Sequence, residues 1–244
     1  MRTGKYALSN MLGSMAYMHG DRMIFKDGKV IKEAESTLIA VVPDRQDHAH
    51  GFMWDEGFHQ HLISMWNMNL TMDIVESWFN QTDPKTGWIC REQMLGREIR
   101  ASAPPSSWPQ VPSEANPPSQ HMLLGHLLDR FDNDLLLKKE YYVEFIAFLG
   151  RIYDNLKLNV DWFLKTQASQ VMSDTFRWKG RTSRYCLASG MDDYPRAPIM
   201  TEQEAHIDLQ TWMIISTNLL SRVAGVLEKR DDELHYWNLV VKYR

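Results

Sequence analysis

The chain has 244 residues, enough for one large domain or two small ones, with 44% hydrophobic and 24% charged residues, which is ordinary for a folded protein. The formal net charge is −4 and no Lys/Arg cluster interrupts it, so no nucleic-acid partner is expected. Apolar runs such as 135–137 and 213–215 fall far short of the roughly 20 residues needed to span a bilayer, and residues 1–20 lack the apolar core of a signal peptide.

In chain order, 6–17 is a weak helix candidate because Gly13 lies inside it. Residues 26–42 suit a hairpin with Asp27-Gly28 as its turn. Helices are expected over 57–67, 71–79 and 119–131. Between them, 101–118 holds six of the ten prolines and is expected to be an extended surface loop. From 138 to 167, Tyr142, Phe145, Leu149, Ile152 and Leu156 recur at spacings of three and four, the signature of an amphipathic helix. A structured loop follows over 168–200, with β-like pieces near 176–178 and 185–187. From 202 to 230 the series Leu209, Met213, Leu220, Val223 and Leu227 predicts another helix, with Thr201 and Glu204 as its capping box. A last helix fits 231–243, giving roughly seven by pattern. The expected class is all-α.

Two cysteines, Cys90 and Cys186, cannot make a disulfide framework and match no zinc spacing, so two buried thiols are expected, with a single bridge as the alternative. Asn69-Leu70-Thr71 and Asn80-Gln81-Thr82 are glycosylation sequons.

Three clusters carry chemistry. Gly51-Phe52-Met53-Trp54-Asp55-Glu56-Gly57 sets aromatics beside two acids at a helix start. A flat apolar ring next to a carboxylate suits a sugar, one binding its face and the other its hydroxyls. Acids are also favoured there by the helix dipole alone. Gly87-Trp88-Ile89-Cys90-Arg91-Glu92-Gln93 follows an Asp83-Pro84 turn, and its charged pair suits either a loop-built cavity or plain surface. In Ser189-Gly190-Met191-Asp192-Asp193, only one of the two neighbouring carboxylates can face a reacting bond. Glu204 and Asp208 are expected four apart on one helix face, Glu204 with a possible capping role and Asp208 toward a polar cavity. A metal site competes: His48-Ala49-His50 would share a strand face, whereas His59 and His61 on a helix lie about 200° apart and cannot bind one ion.

In order along the chain, Ala7-Leu8-Ser9-Asn10-Met11-Leu12-Gly13, Trp54-Asp55-Glu56-Gly57-Phe58-His59-Gln60, Arg91-Glu92-Gln93-Met94-Leu95-Gly96, Asn116-Pro117-Pro118, 189–197 and Glu204-Ala205-His206-Ile207-Asp208-Leu209-Gln210-Thr211-Trp212 resemble glycoside hydrolase family 63. The resemblance implies an (α/α)6 toroid of twelve helices. It implies inverting hydrolysis of the terminal α-1,2-linked glucose of the N-glycan precursor in the endoplasmic reticulum, without metal or cofactor. It makes Asp192 the acid catalyst and sets Phe52, Trp54, Asp55, Glu56, Arg91, Glu92, Asp193, Glu204 and Asp208 around the sugar. It also implies that residues 1–244 are part of one helical catalytic domain. An N-terminal β-rich domain with its membrane anchor, and the C-terminal part of the barrel with the general base, would lie outside. The alternative is a glycan-binding remnant without that base. The sequence departs from the family pattern in places: His48-Ala49-His50-Gly51 replaces an aromatic-Pro-Arg-Gly run, Cys90 replaces a Pro, and Ala205 and Gln210 replace arginines.

Overall fold

Apolar residues at helical spacing build the centre of the molecule, as a computed structural model shows; it describes residues 2–133 and 139–244. The apolar run at 135–137, and Lys138 at the expected start of a helix, lie outside the described residues. Along the chain run α1 (Arg2–Leu12), β1 (Met15–Gly20), β2 (Met23–Lys26), β3 (Lys29–Lys32), β4 (Ser36–Val41), β5 (Gly51–Phe52), α2 (Met53–Trp66) and α3 (Met68–Phe79). There follow β6 (Glu92–Gln93), α4 (Gly96–Arg100), β7 (Pro109–Gln110), α5 (Ser119–Asn133), α6 (Lys139–Thr166), α7 (Ile207–Val226) and α8 (Arg230–Tyr243).

Helices α2, α3, α5, α6 and α7 pack around one core, with α8 folded back on α7. Ile63 of α2, Trp78 and Phe79 of α3, Leu123 and Leu127 of α5, and Phe145, Leu149, Ile152 and Leu156 of α6 meet there, all buried. Leu220 and Val223 of α7 close the same cluster. A second cluster, with Trp88, Trp162, Trp178, Leu209 and Met213, lies under the loops that carry the polar motifs. No helix among the described residues is long and apolar enough to cross a membrane.

Several expectations change. The all-α class is too simple, because three small sheets flank the helices among the described residues. The first helix ends at Leu12, and Met15–Gly20 forms a strand antiparallel to Ser36–Val41, with Met18 opposite Leu38 and both buried. Alternation wins over helical period here because β4 supplies a partner on which every second side chain can be buried. The expected hairpin exists as β2–β3, its Asp27-Gly28 turn at φ of 51° and 75°, while β4 leaves it to pair with β1. The proline-rich segment is not wholly surface, since Ala115–Pro118 are buried against the site described below.

The largest shift is at α7, which starts at Ile207 and not near Glu202. The Thr201 amide does donate to Glu204 Oε1 at 3.2 Å, half of a capping box. The helix is nevertheless delayed, because His206 is extended (φ −113°, ψ 116°) and its amide donates to the Phe176 carbonyl at 2.8 Å. Glu204 and Asp208 therefore do not share a helix face. Near 176–178 the chain makes only an isolated bridge, Ala168 to Phe176, and Leu187–Ser189 is a 3-10 turn, not β structure.

Candidate functional site

The short β5–β6 pairing brings the first two sequence clusters together, setting Phe52 opposite Glu92 and Gly51 opposite Gln93. The Arg91 carbonyl accepts from the Met53 amide at 3.2 Å and from Asn116 Nδ2 at 3.4 Å, fixing the first turn of α2 against the Arg91 segment. The third cluster arrives from the far end of the chain. Gly190, at φ +68°, lays bare backbone on the Trp54 indole, where a Cβ would stand 3.0 Å from the ring.

These contacts enclose a cavity of about 260 Å³ lined by Phe52, Trp54, Asp55, Arg91 and Asp192, with Pro43, His48, Leu187 and Gly190 completing it. Wider hollows open between helices elsewhere, one of about 490 Å³ beside Trp66 and Arg130, but none gathers the three clusters.

Charge at and around the cavity is graded. Burial tends to raise Glu92, but the hydrogen bond with His50 Nε2 (2.9 Å) and the adjoining Arg91 guanidinium outweigh it and hold its carboxyl below the usual range. Asp55 goes the other way: burial raises it, and Glu92 adds to the rise while His48 and Arg91 oppose it. Asp192, although an exposed residue, is also raised, first by partial desolvation of its carboxyl at the cavity, with Asp193 and Glu92 adding and Arg91 opposing. A carboxyl raised in this way keeps its proton to higher pH and can give it up to a leaving group.

With this geometry in place, relatives can be compared. Residues 1–242 match the glycosyl hydrolase family 63 C-terminal domain. The chain belongs to glycosyl hydrolase family 63. Mannosyl-oligosaccharide glucosidase GCS1 of Arabidopsis thaliana is 33% identical over 243 residues, covering 93% of this chain and 28% of that protein. The probable mannosyl-oligosaccharide glucosidase of Schizosaccharomyces pombe is 31% identical over 284 residues, covering 93% of this chain and 35% of that protein. The mannosyl-oligosaccharide glucosidase of Saccharomyces cerevisiae is 30% identical over 281 residues, covering 94% and 34%. The chain thus spans about a third of the length of these curated relatives.

Five of the residues that the family 63 resemblance sets around the sugar do not line this cavity; one is Glu92, which is buried and bonded to Arg91 and His50. Glu56 is completely buried behind the cavity, its oxygens taken by the Val41 amide (2.9 Å), Trp78 Nε1 (2.9 Å) and Gln60 Nε2 (2.7 Å). Its neighbour Asp55 faces the cavity because successive helical side chains diverge by about 100°. Asp193 is exposed and does not line the cavity. Asp208 is held by Arg196 (2.7 and 3.2 Å) and by Trp178 Nε1 (2.8 Å). Burial tends to raise Asp208, but these donors keep it below the ordinary carboxylate range. Glu204 pairs with Arg181 (3.2 Å) and His206 (3.0 Å).

Sequence reasoning passed over one group near the site, Glu114, and read His48 as a candidate metal ligand and a departure from the family pattern, not as part of the cavity wall. Glu114, from the proline-rich segment, is raised by burial, opposed by Arg91 and supported by Glu92. His48 stands on the cavity wall with its ring edge-on to Phe52, 5.8 Å between centroids, while His50 turns inward to Glu92. The His-x-His pair thus splits between two roles, and no three metal-ligating side chains converge among the described residues. Cys90 and Cys186 are both buried free thiols, the Cys90 thiol pushed up to about 12 by burial.

Proposed function

We propose that this chain forms part of an inverting α-glucosidase. The substrate is the terminal α-1,2-linked glucose of the N-glycan precursor oligosaccharide, and the setting is the endoplasmic reticulum. The observation that carries this reading is the convergence of Trp54, Asp55, Arg91 and Asp192, from three distant segments, on one cavity. Trp54 and Phe52 offer apolar faces to the pyranose ring, and Asp55 accepts from its hydroxyls. Arg91, fastened to Glu92, donates to the sugar from a fixed position. Asp192 protonates the glycosidic oxygen as its bond to the anomeric carbon breaks.

Inversion needs a second carboxylate to take a proton from water on the opposite face of the ring, roughly 6.5–9.5 Å from the first. We assign that base to sequence C-terminal to residue 244, as the family resemblance implies, with the helices contributing to an (α/α)6 toroid.

The test is glucose release from the triglucosylated oligosaccharide by the full-length protein carrying this chain, with the first-formed anomer followed by NMR. Asp192→Asn should lower turnover by at least about 100-fold, the scale of general acid catalysis, and β-glucose should appear first. Near-normal turnover of Asp192→Asn would falsify the assignment. Glycan binding without any release by the wild type would leave only a glycan-binding remnant.

A further inference from the structure

Asp192 stands in a segment with no helix or strand to hold it. Residues 191–194 close a turn, the Tyr194 amide donating to the Met191 carbonyl at 3.2 Å, and nearly all of 191–200 is exposed. Among the described residues no hydrogen bond reaches the Asp192 carboxyl, so its place is set by the backbone alone; its carbonyl accepts from the Cys186 amide at 3.0 Å.

Two arginines supply the missing rigidity. Arg196 gives both terminal nitrogens to Asp208 in the first turn of α7, at 3.2 and 2.7 Å, and its guanidinium lies 5.8 Å from the centre of the Tyr194 ring. Arg181, buried below, bonds the Ala197 carbonyl and pairs with Glu204 at 3.2 Å. Consecutive residues 196 and 197 are thus tied to the entrance of α7 by two ion pairs whose four side chains are each at most 14% exposed. A fork of two parallel bonds fixes direction as well as distance. Glu204 and Asp208 are consumed by these pairs, and a sugar could reach them only by breaking a buried charge pair.

We propose that the Arg196–Asp208 pair, backed by Arg181–Glu204, is a positioning device that fixes where Asp192 meets the glycosidic oxygen and does not itself contact substrate. The proposal rests on Asp192 being the acid, so its experiment separates the two. A positioned acid matters most when the leaving group needs a proton. Sugar alcohols leave badly unprotonated, whereas fluoride departs from α-glucosyl fluoride as an anion with little help.

In the full-length protein carrying this chain, Arg196→Ala should lower kcat on the oligosaccharide by about 100-fold, with KM changed less than about threefold. On α-glucosyl fluoride the loss should stay under about tenfold. Equal losses on both substrates, or a raised KM with kcat retained, would overturn the positioning role. If Arg196→Ala does not fold, Arg196→Lys carries the test, because it keeps the charge and loses the fork. A smaller loss confined to the oligosaccharide is expected, and an equal loss on both substrates refutes the proposal. Asp192→Asn runs in parallel. If it retains oligosaccharide turnover the functional reading fails, and if it is inactive while Arg196→Ala keeps full kcat, only the positioning fails.

Discussion

Gly190 shows how tightly a single residue can be constrained at this site. Its φ of +68° costs an L side chain about 1–2 kcal/mol, and an added Cβ would sit 3.0 Å from the Trp54 indole. The two penalties act on different quantities. Backbone strain lowers stability, whereas pressure on Trp54 tilts a face of the cavity on which a sugar would stack. Gly190→Ala should therefore lose about 1–2 kcal/mol in urea denaturation and also weaken glycan affinity at temperatures where it remains folded. Titrating oligosaccharide against the intrinsic tryptophan signal checks the second effect, and an unchanged Kd would mean that Trp54 does not contact the sugar.

At the scale of elements, Glu56 joins three. It sits in the first turn of α2 and accepts from the Val41 amide of β4 and from Trp78 of α3, with Gln60 of α2 on its other oxygen. Glu56→Ala would orphan three buried donors and leave a void, costing on the order of 3 kcal/mol or more. Glu56→Gln keeps an acceptor for Val41 and Trp78. Its new amide can be met if Gln60 turns over, since Thr71 Oγ1, now donating to Gln60 at 2.8 Å, can rotate to accept. That variant should lose no more than about 1 kcal/mol, and equal urea midpoints for the two substitutions would disprove the tie. The same residue shows what the sequence left illegible. Trp54-Asp55-Glu56 was recognisable as a unit, but helical geometry sends one of its acids to the cavity and the other to the core. The helices with long apolar series, such as Phe145 to Leu156, were legible because burial of one face decides them. The start of α7 was not, because the local capping signal at Thr201 and Glu204 yields to Arg181, more than twenty residues away, and to the pull of Phe176 on His206. Strand β1 was hidden for the same reason, its partner β4 lying a full hairpin later. Distant partners override local propensity wherever a segment is short.

Across the whole molecule, two fully buried ionisable groups set opposing pH dependences. His121, on α5 against α7, is pushed down to about 3 by burial, with Asn159 opposing; its Nδ1 lies 2.9 Å from Ser216 Oγ. Glu56 is pushed up to about 7, burial outweighing its three donors. For His121 the unfolded chain binds the proton more readily, so its contribution is present above pH 6.5 and is lost as pH falls toward about 3. For Glu56 the folded state binds the proton more readily, so stability is present below pH 4.5 and is lost as pH rises through about 7. Between about 4.5 and 6.5 the two slopes, each about 1.4 kcal/mol per pH unit, oppose one another. His59, His61 and His206, also lowered by burial, add to the His121 slope. Removing His121 therefore has a sign as well as a size. His121→Leu fills a similar space against Phe79, and Ser216 keeps its bond to the Trp212 carbonyl at 2.8 Å, so the fold should persist. Relative to wild type, the variant should gain about 1.4 kcal/mol per unit as pH is lowered from about 6.5 to about 4.5, measured by urea denaturation at half-unit steps. Parallel pH profiles for the two proteins would show that His121 is not the buried neutral imidazole on which this balance depends.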